Sequence, residues 1–563
     1  MAEKRPRIVI VGGVAAGPKA AARARRCDPE AEITLVEQGE HISYGSCGLA
    51  YFLAGMVPKL EGLMTTLSGQ VRDVDYFHFE KDVTVLTRTR AESIDRRQKQ
   101  VLVHDLRSGE RSYLPYDRLV LATGASPVAP PVPGRDLGNV FQLRTAVDAL
   151  AIRAHLQQHK GAHFTVVGGG LIGLEAAEAL TTRGAEVTLV EMQPHLLPGL
   201  LDPDMARLLE HHVEREGLDA RLGARLERLE GDDEGNVCRV LAGDEAIETS
   251  AVIMATGVRP NVTLARDAGL ALGTTGAIAV DDFLRTSDPD IYAGGDCVEE
   301  THLVSGRKVW CPLGSTANKH GHVIGSNIVG GQERSAGVLG TTAVQVMEAN
   351  VGCTGLTEDQ ALRLGYSVVT ALVPTVDCAH FFPLQAPITV KLVVDGATRR
   401  LLGAQVVGTG EAVKRVDVAA MALTFGATED QQAEADLAYA PPYASAVDAI
   451  AQAANLCRAK LDGMARSCSV GELQRQLAGG EEVTLVDVRT PAEAKQGQPF
   501  GRPCLHIPLG ELRARRGEIP SERPVILFCA LGTRSYEAQR LLAGAGLPPT
   551  LFLEGGLAAW TGR

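Results

Sequence analysis

The stretch Phe164-Thr-Val-Val-Gly168-Gly-Gly170-Leu-Ile-Gly173-Leu-Glu-Ala-Ala-Glu-Ala-Leu180 decides how this chain folds. Residues 164–167 predict a strand, Gly168-x-Gly170-x-x-Gly173 a tight turn, 174–180 a helix, and 187–190 a second strand that ends at Glu191. Glycine serves where backbone must approach a pyrophosphate, and the helix behind the turn adds amide donors and the positive end of its dipole. Glu191 lies 23 residues after Gly168 (191 − 168), where a carboxylate can accept hydrogen bonds from both hydroxyls of a ribose. Such a carboxylate repels a 2′-phosphate, so the reading favours NADH over NADPH.

The pattern occurs twice. Residues 7–11 predict a strand, followed by Gly12, Gly13 and Gly17, an Ala/Arg-rich helix to about Arg26, and a strand over 33–36 that ends at Glu37. Val14 stands where the middle glycine would be, so the regular copy downstream identifies the irregular one. Each half closes on an apolar strand and a Thr-Gly turn, the first ending in Thr123-Gly124 and the second in Thr256-Gly257. Farther on, Thr286-Ser-Asp-Pro-Asp-Ile-Tyr-Ala-Gly-Gly-Asp296 resembles the second flavin fingerprint of two-dinucleotide-binding flavoproteins. That resemblance gives Asp296 the ribityl chain of FAD. FAD in the first fold and NADH in the second is the expectation, with cofactor contacts from Gly12, Gly17, Glu37, Thr123, Gly124, Gly168, Gly170, Gly173, Glu191, Gly257 and Asp296.

The 563 residues exceed a single hydrophobic core several times over. The fold class is α/β: two Rossmann-like dinucleotide-binding domains, an α+β third domain and a small α/β fourth. The expected boundaries are 1–125 with 251–330 for the discontinuous FAD domain and 126–250 for the NADH domain, the proline-rich residues 126–134 marking the crossing. Strand-like runs at 388–394 and 401–407 belong to the third domain, 331–455. Residues 456–467 are expected to link it to the fourth, 468–563.

A formal net charge of −12 argues against a general nucleic-acid binder, and 45% hydrophobic with 22% charged residues describes a soluble chain with no need of a membrane. Lys4, Arg5 and Arg7 ahead of an apolar run imitate a secretory signal. The first fold needs that same run as its strand, so cytoplasm is expected. Eleven cysteines, odd in number and without CxxC pairs or Cys/His clusters, disfavour a disulfide framework and structural zinc, and no metal is expected. Cys27, Cys238 and Cys353 read as small hydrophobes.

Two cysteines stand apart. In Ser43-Tyr-Gly-Ser-Cys47-Gly-Leu-Ala-Tyr-Phe52, Cys47 follows Glu37 by ten residues (47 − 37) between glycines that expose its backbone. A thiolate is the nucleophile, and a helix N-terminus or nearby cation is expected to lower the Cys47 pKa. Dithiol flavoenzymes of this fold carry a second cysteine five positions along. Here that position is Phe52, so Cys47 must cycle as a mixed disulfide, a persulfide or a sulfenic acid.

Over residues 5–455 the chain resembles the coenzyme A disulfide reductase branch of the single-cysteine pyridine nucleotide disulfide oxidoreductases. The resemblance implies a homodimer in which Tyr439-Ala-Pro-Pro-Tyr443, with Asp448, reaches the partner's cysteine. Tyr439 and Tyr443 are then candidate proton donors, with His380 a further one. It also implies that Lys19, Arg23 and Arg26, one turn apart on the first helix, grip coenzyme A phosphates, and that Ser43 and Ser46 touch the same ligand. Ser46 replaces a usual asparagine. The stretch Cys378-Ala-His-Phe-Phe-Pro383 lacks the paired tyrosine usual there and Val447 replaces a lysine, which weakens coenzyme A disulfide as the substrate.

Cys529-Ala-Leu-Gly-Thr-Arg534-Ser535 lies between a strand expected at 524–528 and a helix at 537–542. With Asp487-Val-Arg489 and Glu554-Gly-Gly-Leu-Ala-Ala-Trp560 it resembles a single rhodanese domain. That resemblance makes Cys529 a carrier of sulfane sulfur and Arg534 a substrate contact, with loop amides and the helix dipole stabilising the persulfide. The two cysteines together predict an FAD-dependent NADH oxidoreductase reducing a thiol persulfide or polysulfide at Cys47. The alternatives are a coenzyme A disulfide reductase, an NADH peroxidase or oxidase, and a non-catalytic thiol redox sensor.

Overall fold

A computed structural model describes residues 5–495, 497–520, 522–544 and 550–561. Its contacts divide the chain into two compact units, Met1–Met192 with Asp219–Gly340 and Gln193–Leu218 with Thr341–Arg563.

In the first unit the repeat seen in the sequence becomes two five-stranded parallel sheets. One runs in the order Ile291–Ala293, Arg118–Leu121, Arg7–Val11, Glu32–Val36, Thr84–Leu86. The other runs Asp219–Leu222, Glu186–Glu191, His163–Val167, Ala251–Met254, Val140–Phe141. Central strands buried on both faces explain the unbroken apolar runs: Ile8, Ile10, Leu119, Leu121, Phe164 and Val166 are all essentially inaccessible. The expected boundary at 250/251 falls between Ser250 and a strand of the second sheet. Residues 251–254 pair in parallel with 164–167 rather than joining the first domain, because their backbone hydrogen bonds complete that sheet. Ile291–Ala293 does return to the first sheet, beside Arg118–Leu121.

The helix Ala16–Cys27 packs on the helix Gly314–Asn327 across two glycines one turn apart. A Cβ at Gly321 would come within 2.7 Å of the Lys19 Cβ, and one at Gly325 within 2.5 Å of the Arg23 Cβ. Only a bare backbone permits that approach.

The second unit contains an antiparallel sheet, Thr342–Val346, Ala349–Gly355, Leu401–Gly408, Pro387–Asp395 and Val368–Val376. A parallel sheet follows, Ser467–Cys468, Leu551–Leu553, Val525–Phe528, Thr484–Asp487 and Leu505–His506. The expected linker is not a free connection. The helix Ala449–Leu461 runs through its first half, with Cys457 fully buried. Glu554 then fastens the two sheets together. One of its oxygens accepts from Leu372 N at 2.7 Å, the other from Lys460 Nζ at 2.5 Å and Ser467 Oγ at 2.7 Å.

Arg415 ties down Asp448, downstream of Tyr439 and Tyr443. It is 1% exposed, and Asp448, 6% exposed, takes its Nη2 at 2.9 Å and its Nε at 3.3 Å. Asp448 in turn caps the helix Ala449–Leu461 through Ile450 N. Removing one member of a buried pair strands the other charge. Arg415→Met should therefore cost about 3–5 kcal/mol in urea unfolding of this unit, and Asp448→Asn with Arg415→Met should cost less than Arg415→Met alone.

Candidate functional site

The two glycine turns are built alike. Gly12 has φ +115° and a Cβ there would stand 2.0 Å from the Ala122 carbonyl oxygen; Gly168 has φ +116° and would meet the Ala255 carbonyl oxygen at 2.3 Å. Gly17 and Gly173 close the turns from the helix side, where a Cβ would lie 1.9 and 1.8 Å from the Gly12 and Gly168 oxygens. Both positions therefore need glycine. The strand-end acids also match. Gly13 N donates to the Glu37 carboxylate at 2.7 Å and Gly169 N to Glu191 at 2.6 Å. Each acid is thus fixed on the turn that would hold a pyrophosphate. At Gly170 and Gly257 nothing lies within 4 Å of an added Cβ, so both face open space.

The Gly-Gly-Asp296 turn passes the same test for a flavin chain. Gly295 has φ +79° and its amide donates to His320 Nδ1 at 3.1 Å, while the Asp296 carbonyl accepts from Trp310 Nε1 at 2.8 Å. The half-buried Asp296 carboxylate takes no protein hydrogen bond among the described residues, and desolvation pushes its pKa up. A carboxylate so placed fits a hydroxyl-bearing chain. Thr123 is spent on structure: its Oγ1 donates to the Asn261 carbonyl at 2.7 Å, beside Gly124 at φ +66°.

Cys47 hangs from the first turn. Ser43, held at φ +51°, donates its amide to the Gly13 carbonyl at 2.8 Å, and Gly45 N reaches the Leu63 carbonyl at 2.9 Å. A 3₁₀ turn, Ser46–Gly48, then leads into the helix Leu49–Ala54. The thiol opens to the surface, and a Cβ at Gly314 would sit 3.4 Å from its sulfur. Phe52 is buried with the Arg153 guanidinium over its ring, and all eleven cysteines are free. Against the expected local stabilisation of the thiolate, the groups around the sulfur act in the opposite direction. The sulfur sits in a recess deep enough that desolvation raises its pKa first, then the carboxylates of Glu175 and Asp296, against a smaller lowering by Ser46. A six-residue helix and no charged cation at the sulfur cannot offset two acids.

Glu175 was not singled out in the sequence, although it stands two places after Gly173. Burial, then Glu178, pushes it up to about 7. The same cluster raises the Tyr51 phenol, through burial and then Glu175, Glu178 and Cys47.

The basic face proposed for the first helix divides. Lys19 and Arg26 are exposed, whereas Arg23 turns away to Ser326 Oγ at 2.7 Å and Glu333 at 2.9 Å. In the second unit Tyr439 and Tyr443 are more than half exposed, and Lys414 Nζ holds the Tyr443 carbonyl at 3.2 Å. His380 is exposed against the edge of Phe381. Cys529 is 1% exposed at the end of the strand Val525–Phe528. Its Sγ accepts from Gly532 N at 3.1 Å, and the Ser535 hydroxyl lies 3.6 Å away. Arg534 is paired through both terminal nitrogens with Glu493, at 2.6 and 2.7 Å. Among the described residues no group of His, Cys, Asp and Glu could hold a metal, and no helix is long and apolar enough to cross a membrane.

Paired glycine turns of the nucleotide-binding kind, an aspartate in a flavin-type turn and an accessible lone thiol fit a flavin-dependent oxidoreductase of sulfur. The chain belongs to the pyridine nucleotide-disulphide oxidoreductase family, whose model matches residues 6–321, followed by that family's dimerisation domain at 341–451 and a rhodanese-like domain at 469–563. Its members work with FAD and a reduced pyridine nucleotide. The chain is 38% identical over 446 residues to an NAD(P)H sulfur oxidoreductase (CoA-dependent) of Pyrococcus abyssi, covering 78% of this chain and 96% of that one. A NAD-dependent persulfide reductase from A. fulgidus superposes with TM-score 0.93 at 41% identity, covering 98% of this chain and 100% of the other. Reduced Bacillus anthracis CoADR-RHD gives 0.92 at 33% identity, covering 99% and 98%.

Two outcomes are expected. Glu191→Ala should raise the KM for NADH about tenfold, the worth of charged hydrogen bonds to a ribose, and narrow its lead over NADPH. Glu175 is neutral below pH 7 and charged above it, so its charge holds back Cys47 only at the higher pH. Glu175→Gln should speed Cys47 alkylation by iodoacetamide about threefold at pH 8.5 and leave it unchanged at pH 5.5.

Proposed function

We propose that the chain reduces persulfides or polysulfide with electrons from NADH, Cys47 being the group that attacks sulfur and Cys529 carrying sulfane sulfur. The observation that carries the proposal is one chain bearing two free thiols of opposite setting: Cys47 opens to the surface without a partner cysteine, and Cys529 is buried beneath a backbone amide. The names of the persulfide reductase and the CoA-dependent sulfur oxidoreductase support it.

The Cys47 thiolate attacks the inner sulfur of R–S–SH. A bond forms between Cys47 and that sulfur, the S–S bond breaks, and hydrosulfide leaves, so Cys47 is held as a mixed disulfide with R–S. Two electrons and a proton then return the thiolate and release R–SH. FAD, when bound, supplies those two electrons from reduced nicotinamide. Summed, R–S–SH + NADH + H⁺ gives R–SH + H₂S + NAD⁺.

In this reading Gly12, Gly17, Glu37, Gly124 and Asp296 hold FAD, and Gly168, Gly170, Gly173, Glu191 and Gly257 hold NADH. Phe52 excludes an internal disulfide, and a substrate or cofactor charge that offsets Glu175 and Asp296 would favour the Cys47 thiolate. Coenzyme A fits the site as a thiol whose phosphates meet the exposed Lys19 and Arg26; Arg23 serves by packing. Ser46, which hydrogen-bonds the Cys47 thiol, and Ser43 would touch the same ligand. Tyr439 or Tyr443 protonates the leaving group of the partner subunit in a cytoplasmic homodimer, a state supported by the dimerisation-domain match.

Purified holoenzyme under anaerobic conditions should oxidise NADH faster with a small-thiol persulfide than with coenzyme A disulfide and release hydrosulfide. Cys47→Ser should lose at least about a thousandfold of that rate. Preference for coenzyme A disulfide would refute the substrate assignment, and activity surviving Cys47→Ser would refute the role of the thiol.

A further inference from the structure

The rhodanese-like loop displays little net positive charge where sulfur must enter. Cys529-Ala-Leu-Gly-Thr-Arg534-Ser535 contains one cation, Arg534, and Glu493 takes both its terminal nitrogens. This is no casual surface pair. Both side chains are about one-third exposed, and the Glu493 carboxylate is also fixed by Thr490 N at 3.0 Å and Thr490 Oγ1 at 2.7 Å, within the capping box of the helix Pro491–Ala494. Together Arg534 and Thr490 hold Glu493 well below the usual carboxylate range, so it stays charged throughout the neutral range.

The neighbouring arginine is neutralised in the same way. Arg489 gives its Nε to both oxygens of Asp487, at 3.0 and 3.1 Å, and its Nη2 to one of them at 2.7 Å, with both residues buried. The rim is completed by Ala530, by Leu531 at 49% exposure, and by an exposed Thr533. At the Cys529 loop the chain thus shares Arg534 between the sulfur and Glu493, keeps Arg489 paired with Asp487 at the end of the adjoining strand, and turns an apolar side chain outward.

Charge decides which sulfur donors can approach. Thiosulfate brings two negative charges to a thiolate and needs uncompensated cations to offset the repulsion. The sulfur end of an organic persulfide brings at most one, and a carbon chain behind it can lie against Leu531. We propose that Cys529 takes sulfur from organic persulfides and discriminates against thiosulfate, with Glu493 as the specificity-determining residue. This inference rests on the sulfur-carrier reading of Cys529 and names its donor.

The step balances. The Cys529 thiolate attacks the outer sulfur of R–S–SH, a new S–S bond forms as the old one breaks, and the leaving thiolate takes the substrate's proton: R–S–SH + Cys529–S⁻ gives R–SH + Cys529–S–S⁻. The Gly532 amide, 3.1 Å from Sγ, faces the charge that results.

The test uses the full chain carrying Cys47→Ser, so that reductive turnover does not drain the product, and reads sulfur loading of Cys529 by mass. Loading from the persulfide of 2-mercaptoethanol should be at least about tenfold faster than from thiosulfate at equal concentration. Glu493→Gln, which leaves Arg534 uncompensated, should raise the ratio of thiosulfate to persulfide loading about tenfold, and this gain should fade in high salt. Adding Arg534→Gln should cancel it, which separates charge from a loosened loop. Equal loading from both donors in the parent chain would overturn the inference whether or not the variants fold. A ratio unmoved by a folded Glu493→Gln would overturn the role of Glu493. Failure of Cys529 to load from either donor would instead refute the carrier reading beneath it.

Discussion

A side chain cannot exist at Gly12, Gly17, Gly168 or Gly173, and much of the first unit follows from that. With φ near +115° and a carbonyl within about 2 Å of any added Cβ, each turn draws the helix N-terminus onto the end of its strand. The tight turn brings the amide of the next residue, Gly13 or Gly169, onto the acid that ends the neighbouring strand. In the first copy it also presents the Gly13 carbonyl from which the Cys47 loop hangs through Ser43 N. The glycine turns, the strand-end acids and the Cys47 loop are therefore positioned by one backbone constraint.

Both sulfur sites withhold a free cation from the thiol, by different means. At Cys47 two acids face the sulfur, and one of them, Glu175, titrates near neutrality. At Cys529 an arginine is present but shared with Glu493, and the sulfur also accepts from Gly532 N and the Ser535 hydroxyl. The first arrangement ties thiol reactivity to what binds beside it. The second would favour donors whose sulfur end carries little charge.

Fixing Glu554 between Leu372 N, Lys460 and Ser467 gives the rhodanese-like sheet a defined seat on the antiparallel sheet of its unit. Glu554 adjoins Gly555-Gly556, and a Cβ at Gly556 would come within 2.5 Å of the Cys529 carbonyl oxygen. The seat and the sulfur loop thus share one turn. A continuous helix through residues 456–461 removes the slack that composition alone suggested there.

Local pattern was enough to read the strands and the glycine turns and to single out Glu37, Glu191, Asp296 and the two cysteines as candidates, because each is picked out by spacing along one strand–turn–helix unit. The sequence by itself determined the α/β class, the duplicated nucleotide fold and the candidate nucleophiles. Charge partnerships across long separations were beyond it: Arg23 with Glu333, Arg534 with Glu493, Cys47 with Glu175 and Asp296. A thiol's acidity and an arginine's availability depend on which charges the packed chain brings within a few ångströms. Burial also decides how strongly those charges are felt. Only the tertiary structure, by setting distance and desolvation together, decided that neither sulfur has a cation to itself.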